Sequence, residues 1–186
     1  MKSILVFLAD GFEEIEALTP VDMCRRAGMD VKTVSIKDSL DILSSHSIPV
    51  KADILLDDAD ADIDAADMLV LPGGGLGTEN LKKCDKLLEI LKEADKKEMY
   101  LSAICAAPSI LGELGLLNGR RACCFPGKED SLKGAEYVPG AKVVKDGRFI
   151  TARGMGASVD FGAAIITQLL GSEKTEEILR QIQYHI

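Results

Sequence analysis

The sequence predicts an α/β sandwich, a mainly parallel sheet with helices on both faces. Three observations predict it. Short apolar runs alternate with amphipathic stretches of helical period through most of the chain. Two of the runs are continuously apolar and are followed at once by Gly-rich or small-residue turns, as strands buried on both faces are. The 186 residues, 47% of them hydrophobic, are enough for a substantial core without disulfides or metal. No repeat, low-complexity segment or linker divides the chain, so residues 1–186 read as one domain.

The elements follow in order. Lys2 to Ala9 is a buried strand bounded by Asp10-Gly11. Glu13 to Arg26 is a helix whose first turns carry Glu13, Glu14 and Glu16, where the dipole favours carboxylates; Pro20 predicts a kink or a second start. Asp30 to Ile36 alternates as a strand, and Ile48 to Ala52 is a weaker strand. Asp57 to Asp67 reads as a solvated loop with a short acidic helix. Asp67 to Leu71 is a strand ending in Pro72-Gly73-Gly74-Gly75. Cys84 to Lys97 is an amphipathic helix, Met99 to Ile104 a buried strand, Ala106 to Leu117 a helix and Ala122 to Phe125 a short strand. Val143-Val144 and Phe149-Ile150 flank a hairpin turn at Lys145 to Arg148. Ser158 to Leu170 and Glu173 to Ile182 are the closing helices.

Composition removes several functions. Thirty acidic residues against 22 basic give a net charge of −8, and no basic run tracks a phosphate backbone. Trp is absent and aromatics are 4%, so base-stacking surfaces are poorly supplied; no nucleic-acid partner is expected. The run Ile4 to Ala9 is too short for a secretory signal, and no stretch reaches the ~18 apolar residues of a membrane span. A cytoplasmic protein without membrane partners is expected, its five Cys present as thiols. No metal is expected: the Cys show no C-x-x-C pair, and His46 and His185 stand far apart. Asp58 as the first position of a calcium loop puts Ile63 where Gly is needed and Leu69 where Glu is needed.

The informative segment is Leu101 to Pro108. An apolar strand runs into Cys105, with Ala103 two residues before it and Ala107 two after. This is the pattern of a nucleophile elbow, where a strained strand-to-helix turn exposes the central side chain and small neighbours let the backbone pass close to itself. A thiol at a helix N-terminus is expected to have a lowered pKa, and the Ala106 amide is placed to stabilise an oxyanion. Cys24, Cys84, Cys123 and Cys124 lack this context and read as packing residues.

The run Pro72 to Gly77 completes neither G-x-G-x-x-G nor a Walker motif, and Gly154-Met155-Gly156 fails likewise. Adjacent glycines instead let backbone amides approach a small anionic centre, making Gly74 a second oxyanion donor. Ligands in parallel α/β sheets sit beyond the carboxyl ends of the strands. Residues Asp10 to Glu16, Gly73 to Gly75 and Cys105 all follow strands and so converge. A desolvated carboxyl there has a raised pKa and donates to the sulfur. Glu13, Glu14 and Glu16 are equal candidates on this reasoning.

Four segments, Leu8 to Glu16, Leu71 to Gly74, Ala103 to Pro108 and Arg153 to Gly156, together resemble the ThiJ/PfpI superfamily over nearly the whole chain, closest to its DJ-one/YajL-like branch. The resemblance implies a flavodoxin-like, class I glutamine amidotransferase-like three-layer sandwich, a homodimer and no cofactor. It assigns the reactive Cys to Cys105, the buried acid to Glu16 and the oxyanion amides to Gly74 and Ala106. It implies a cofactor-free glyoxalase or deglycase acting on methylglyoxal, other small reactive carbonyls or early glycation adducts, or else a redox-sensing stress protein that uses oxidation of Cys105. Peptidase relatives carry His directly after the Cys, where this chain has Ala106, so peptidase work is not expected. Some relatives carry His before a Pro near the site, where this chain has Phe125-Pro126. His46 aligns with a polar position that reaches the partner subunit's site, which would supply an imidazole across the dimer.

Overall fold

A computed structural model describes residues 1–184. His185 lies outside the described residues. The strands are β1 (Ser3–Leu8), β2 (Asp30–Ser35), β3 (Asp41–Leu43), β4 (Pro49–Lys51), β5 (Ile54–Leu55), β6 (Met68–Leu71), β7 (Tyr100–Ile104), β8 (Arg121–Ala122), β9 (Glu136–Tyr137), β10 (Val143–Asp146) and β11 (Phe149–Ala152). The α-helices are α1 (Glu14–Arg26), α2 (Asp60–Ala65), α3 (Gly75–Lys82), α4 (Asp85–Lys96), α5 (Pro108–Glu113), α6 (Ser158–Leu170) and α7 (Ser172–Gln181).

Seven strands form one sheet in the order β10-β11-β7-β6-β1-β2-β5. All neighbours are parallel except β10 and β11, joined through Gly147-Arg148. This is the flavodoxin-like α/β sandwich. Alternation along β1 shows how the sheet sorts its side chains. Ile4, Val6 and Leu8 join Met68, Val70, Ile104 and Ile150 under α1, α6 and α7. Leu5 and Phe7 join Leu69, Leu71, Leu101 and Ala103 under α3, α4 and α5, which supply Leu81, Leu87, Leu91, Ile110 and Leu111. Both faces of a central strand are covered, so its sequence is apolar at every position. Cys24 and Cys124 sit in these two layers, Cys84 packs against the second, and all five thiols are free.

Several elements depart from expectation. α1 runs through Pro20 as one helix. Gly75–Lys82 is a helix rather than a plain glycine turn, because Gly74 at φ 92° makes the corner before it. The helix after Cys105 starts only at Pro108 and ends at Glu113, with turns on either side. Arg121–Ala122 pairs with Glu136–Tyr137 in a separate ribbon, shorter than the predicted strand at 122–125. The weak strand at 48–52 pairs with Asp41–Leu43 as a hairpin beside the main sheet. Among the described residues no helix is long and apolar enough to cross a membrane.

Candidate active site

β1 is flanked by β2 on one side and β6 on the other, so the strand order reverses there, and a crevice opens beyond the carboxyl ends of such strands. The ends of β1, β6, β7 and β11 deliver α1, Gly73-Gly74, Cys105 and Gly154-Met155 to this place. Cys105 has φ 65°, a left-handed conformation unusual for a residue with a side chain, and is the elbow the sequence predicts. Two backbone bonds fix it: its amide donates to the Ala152 carbonyl at 2.9 Å, and its carbonyl accepts from the Phe125 amide at 2.7 Å.

Glu13 caps α1, its carboxylate accepting from the Glu16 amide at 2.7 Å. The Glu13 amide in turn donates to the Gly73 carbonyl at 3.0 Å. That cap turns Glu16 inward, where it is 1% exposed. The three-way choice among the N-terminal acids is thus resolved by geometry: Glu16 faces the thiol, Glu13 holds the helix, and Glu14 turns to the hairpin. One Glu16 oxygen accepts from the Gly73 amide at 3.0 Å. The Met155 amide also donates to the carboxyl, which is hydrogen-bonded to Cys105.

The close packing explains the glycines. A Cβ at Gly73 would lie 2.5 Å from a Glu16 oxygen and 2.6 Å from the Cys105 Cβ, and one at Gly74 would lie 2.3 Å from the Gly11 carbonyl oxygen. The amides of Gly74 and Ala106 both point at the Cys105 sulfur. Glu16, Gly74, Cys105 and Ala106, expected from three separate segments, are therefore brought together, with His46 the exception.

Burial pushes the Glu16 carboxyl up to about 7, against the amides and thiol that favour its charge. The lowered thiol pKa expected for Cys105 is not found. Burial, then the facing Glu16 charge, push it up to about 12 and outweigh the Gly74 and Ala106 amides. The two groups are coupled: above about pH 7 the charge sits on Glu16 and the proton stays on the sulfur. Glu16, ionised above about pH 7, is placed to take the thiol proton as the sulfur reacts.

His46 stands in the β3–β4 hairpin with its side chain 70% exposed, and its Nδ1 lies 2.8 Å from Glu14 Oε1 rather than against the thiol of its own chain. Ser45 Oγ donates to the other Glu14 oxygen at 3.2 Å. The ligand atoms of Glu13, Glu14 and His46 lie within 4.8 Å of one another, a grouping that sequence spacing did not suggest because the hairpin brings His46 to α1 from thirty-two residues away. Asp10 holds that hairpin, accepting from the Leu43 amide at 2.9 Å and from Lys37 at 2.8 Å. Sequence reasoning also missed the Gly73 amide as a Glu16 partner. It noted Phe125 and Met155 only within motifs, yet both wall the site.

A model of the DJ-1/PfpI family matches residues 2–168. The chain is 35% identical over 178 residues to Protein DJ-1 homolog B of Arabidopsis thaliana, covering 95% of this chain but 40% of that protein. It covers 45% of the homolog A protein of the same plant, so it spans less than half the length of these two relatives. It is 32% identical over 152 residues to a protein of Pyrococcus abyssi named a deglycase, covering 81% of this chain and 89% of that one. The crystal structure of Drosophila melanogaster DJ-1beta superposes with a TM-score of 0.94 at 31% identity, covering 100% of this chain and 99% of that one.

Proposed function

This chain belongs to the DJ-1/PfpI family, and from that premise we propose that it is a cysteine-dependent, cofactor-free enzyme acting on methylglyoxal or early glycation adducts. The observation that carries the reading is the coupled Glu16–Cys105 pair beneath two backbone amides. The name of the Pyrococcus relative supports a carbonyl or glycated substrate.

The Cys105 thiol passes its proton to Glu16, and the sulfur adds to the aldehyde carbon of methylglyoxal. The resulting alkoxide is held by the Gly74 and Ala106 amides and takes up a proton. Glu16 then removes the hydrogen of the former aldehyde carbon and returns a proton to the neighbouring carbon, through an enediol. The product is a thioester of lactate, which water cleaves to free the thiol. The net reaction adds one water to methylglyoxal; one carbon is oxidised and its neighbour reduced, so no external electron carrier enters. Glu16 meets the ordinary requirement for such a shuttle, a pKa near the working pH.

The test is lactate formation from methylglyoxal by the purified protein and by Cys105→Ser. Loss in the variant is expected, and equal rates from both proteins would overturn the reading.

A second reading is favoured by one observation. Phe125 occupies the wall where some relatives of this type place a histidine, and oxidation of sulfur needs no imidazole base. In this reading Cys105 becomes a sulfinate held by protonated Glu16 and the same amides. Graded peroxide with intact-protein and peptide mass spectrometry separates the two; a Cys105 no more oxidisable than Cys24 removes this reading. In either case the working form is a cytoplasmic homodimer. The exposed Ile15 and Ile48 support a partner surface beside His46. Light scattering checks the dimer, and a structure of it checks whether the partner's imidazole comes near Cys105.

A further inference from the structure

One cavity adjoins the site and plays no part in the chemistry above. It has a volume of about 580 Å³, and its lining includes the apolar Phe125, Pro126 and Met155 together with Lys142 and Arg153. Phe125 and Gly154 tie this cavity to the Cys105 site. The Phe125 amide donates to the Cys105 carbonyl at 2.7 Å. A Cβ at Gly154 would lie 3.3 Å from the Phe125 ring and 4.0 Å from a Glu16 oxygen.

The cationic wall is built by the sheet. Val143 and Ala152 are register partners, so Lys142 and Arg153 are neighbours at the open end of the β10–β11 pair, where the Arg153 amide donates to the Lys142 carbonyl at 3.0 Å. Lys142 is partly neutralised by Asp160 at 3.2 Å. Arg153 makes no ion pair among the described residues. An exposed guanidinium without an ion partner on the wall of this cavity, in a chain of net charge −8, is a local reversal of the overall field. A guanidinium matches a carboxylate through two parallel hydrogen bonds, which fixes orientation as well as charge.

We propose that Arg153, aided by Lys142, forms a subsite for a carboxylate on the substrate, and that the preferred substrates are 2-oxoaldehydes carrying a carboxylate a few carbons beyond the dicarbonyl. The inference rests on the carbonyl chemistry proposed above and names its substrate class. The simplest case is 4,5-dioxopentanoate. Cys105 adds to its aldehyde carbon, the hydrogen of that carbon moves to the ketone carbon, and water releases 2-hydroxyglutarate. One carbon is oxidised, its neighbour is reduced, and water supplies the remaining atoms. The apolar wall of Phe125 and Met155 takes the two methylenes between the reacting end and the charge.

Two measurements test it. The first does not require turnover: alkylation of Cys105 by N-iodoacetylglycine is compared with that by its uncharged amide, read at the Cys105 peptide by mass spectrometry. The acid is expected to gain on the amide by about tenfold relative to free cysteine, with the gain lost in Arg153→Met, retained in Arg153→Lys and weakened by salt. Equal ratios in the wild type and Arg153→Met overturn the subsite. The second is steady-state kinetics. A kcat/KM about tenfold higher for 4,5-dioxopentanoate than for methylglyoxal is expected, with that preference lost in Arg153→Met. Turnover of methylglyoxal without that preference overturns the subsite alone. Turnover of neither compound overturns the proposed reaction, while the alkylation ratio still decides the subsite.

Discussion

The amide of Gly73 donates to a carboxyl oxygen of Glu16 at 3.0 Å, joining two residues fifty-seven positions apart. The same strand end that sends its next amide, Gly74, to the sulfur thus sends this one to the acid. One stretch of backbone holds both the acid and the thiol it faces.

Their coupling has a measurable signature. The rate of Cys105 alkylation by iodoacetamide is expected to stay low through neutral pH and to rise only in the alkaline range, because burial and the facing Glu16 charge hold the thiol up at about 12. In Glu16→Gln the thiol stays buried but loses the facing charge, and the rise is expected to move to lower pH. An unchanged profile would show that the two groups titrate independently.

The same carboxyl makes stability depend on pH. Its ordinary value is 4.5 and its folded value about 7. Below 4.5 it is protonated in both states. Between the two values the unfolded chain has already released its proton, so stability falls as pH rises and the penalty is complete above about 7. The shift corresponds to roughly 3 kcal/mol. Glu16→Gln is therefore expected to gain on the wild type by that order between pH 4.5 and pH 7.5 in urea unfolding. A constant difference across that range contradicts the burial of a titrating acid.

Gly73→Ala tests how tightly the pair is packed. The added methyl meets the Glu16 oxygen, the Cys105 Cβ and the Ile104 carbonyl, all within 2.9 Å. Overpacking of this kind costs about 1–3 kcal/mol. Loss of turnover should exceed the loss of folded protein, measured by circular dichroism, because the methyl separates acid from thiol. Full activity in a stable variant would contradict the close approach.

Thr78 offers the opposite experiment. It is 1% exposed on α3, and its hydroxyl has no hydrogen-bond partner among the described residues. Thr78→Val keeps the shape and removes the unpaired group, so it should stabilise the protein by about 1 kcal/mol. Thermal unfolding reads the gain, and methylglyoxal turnover should not change.

The residues that were readable and those that were not divide on physical grounds. β1, β6 and β7 were legible because both faces of each are buried, and α6 because its ends are sharp. α3 was hidden: Gly75 and Gly77 weaken any helical signal, yet tertiary contact requires them, since a Cβ at Gly77 would meet the Phe12 backbone at 2.6 Å. β5 and β8 are two residues long, too short to carry a period. In the site, Cys105 was legible from its flanking Ala residues. Glu16 could not be separated from Glu13 and Glu14 by periodicity, because the choice depends on which acid caps the helix. The thiol's pKa was misjudged because the dipole effect is local and visible in sequence, whereas burial and the facing carboxyl belong to the assembled fold.

The left-handed backbone at Cys105 has a last consequence. Such a conformation costs a residue with a Cβ on the order of 1 kcal/mol and costs glycine little. Judged by folding alone, glycine is the better occupant of position 105. A lineage drifting under selection for stability only would be drawn toward it. Keeping a thiol there requires a benefit that the folded state does not itself supply, and the small deficit at this one position sets a lower bound on what that thiol is worth to the cell.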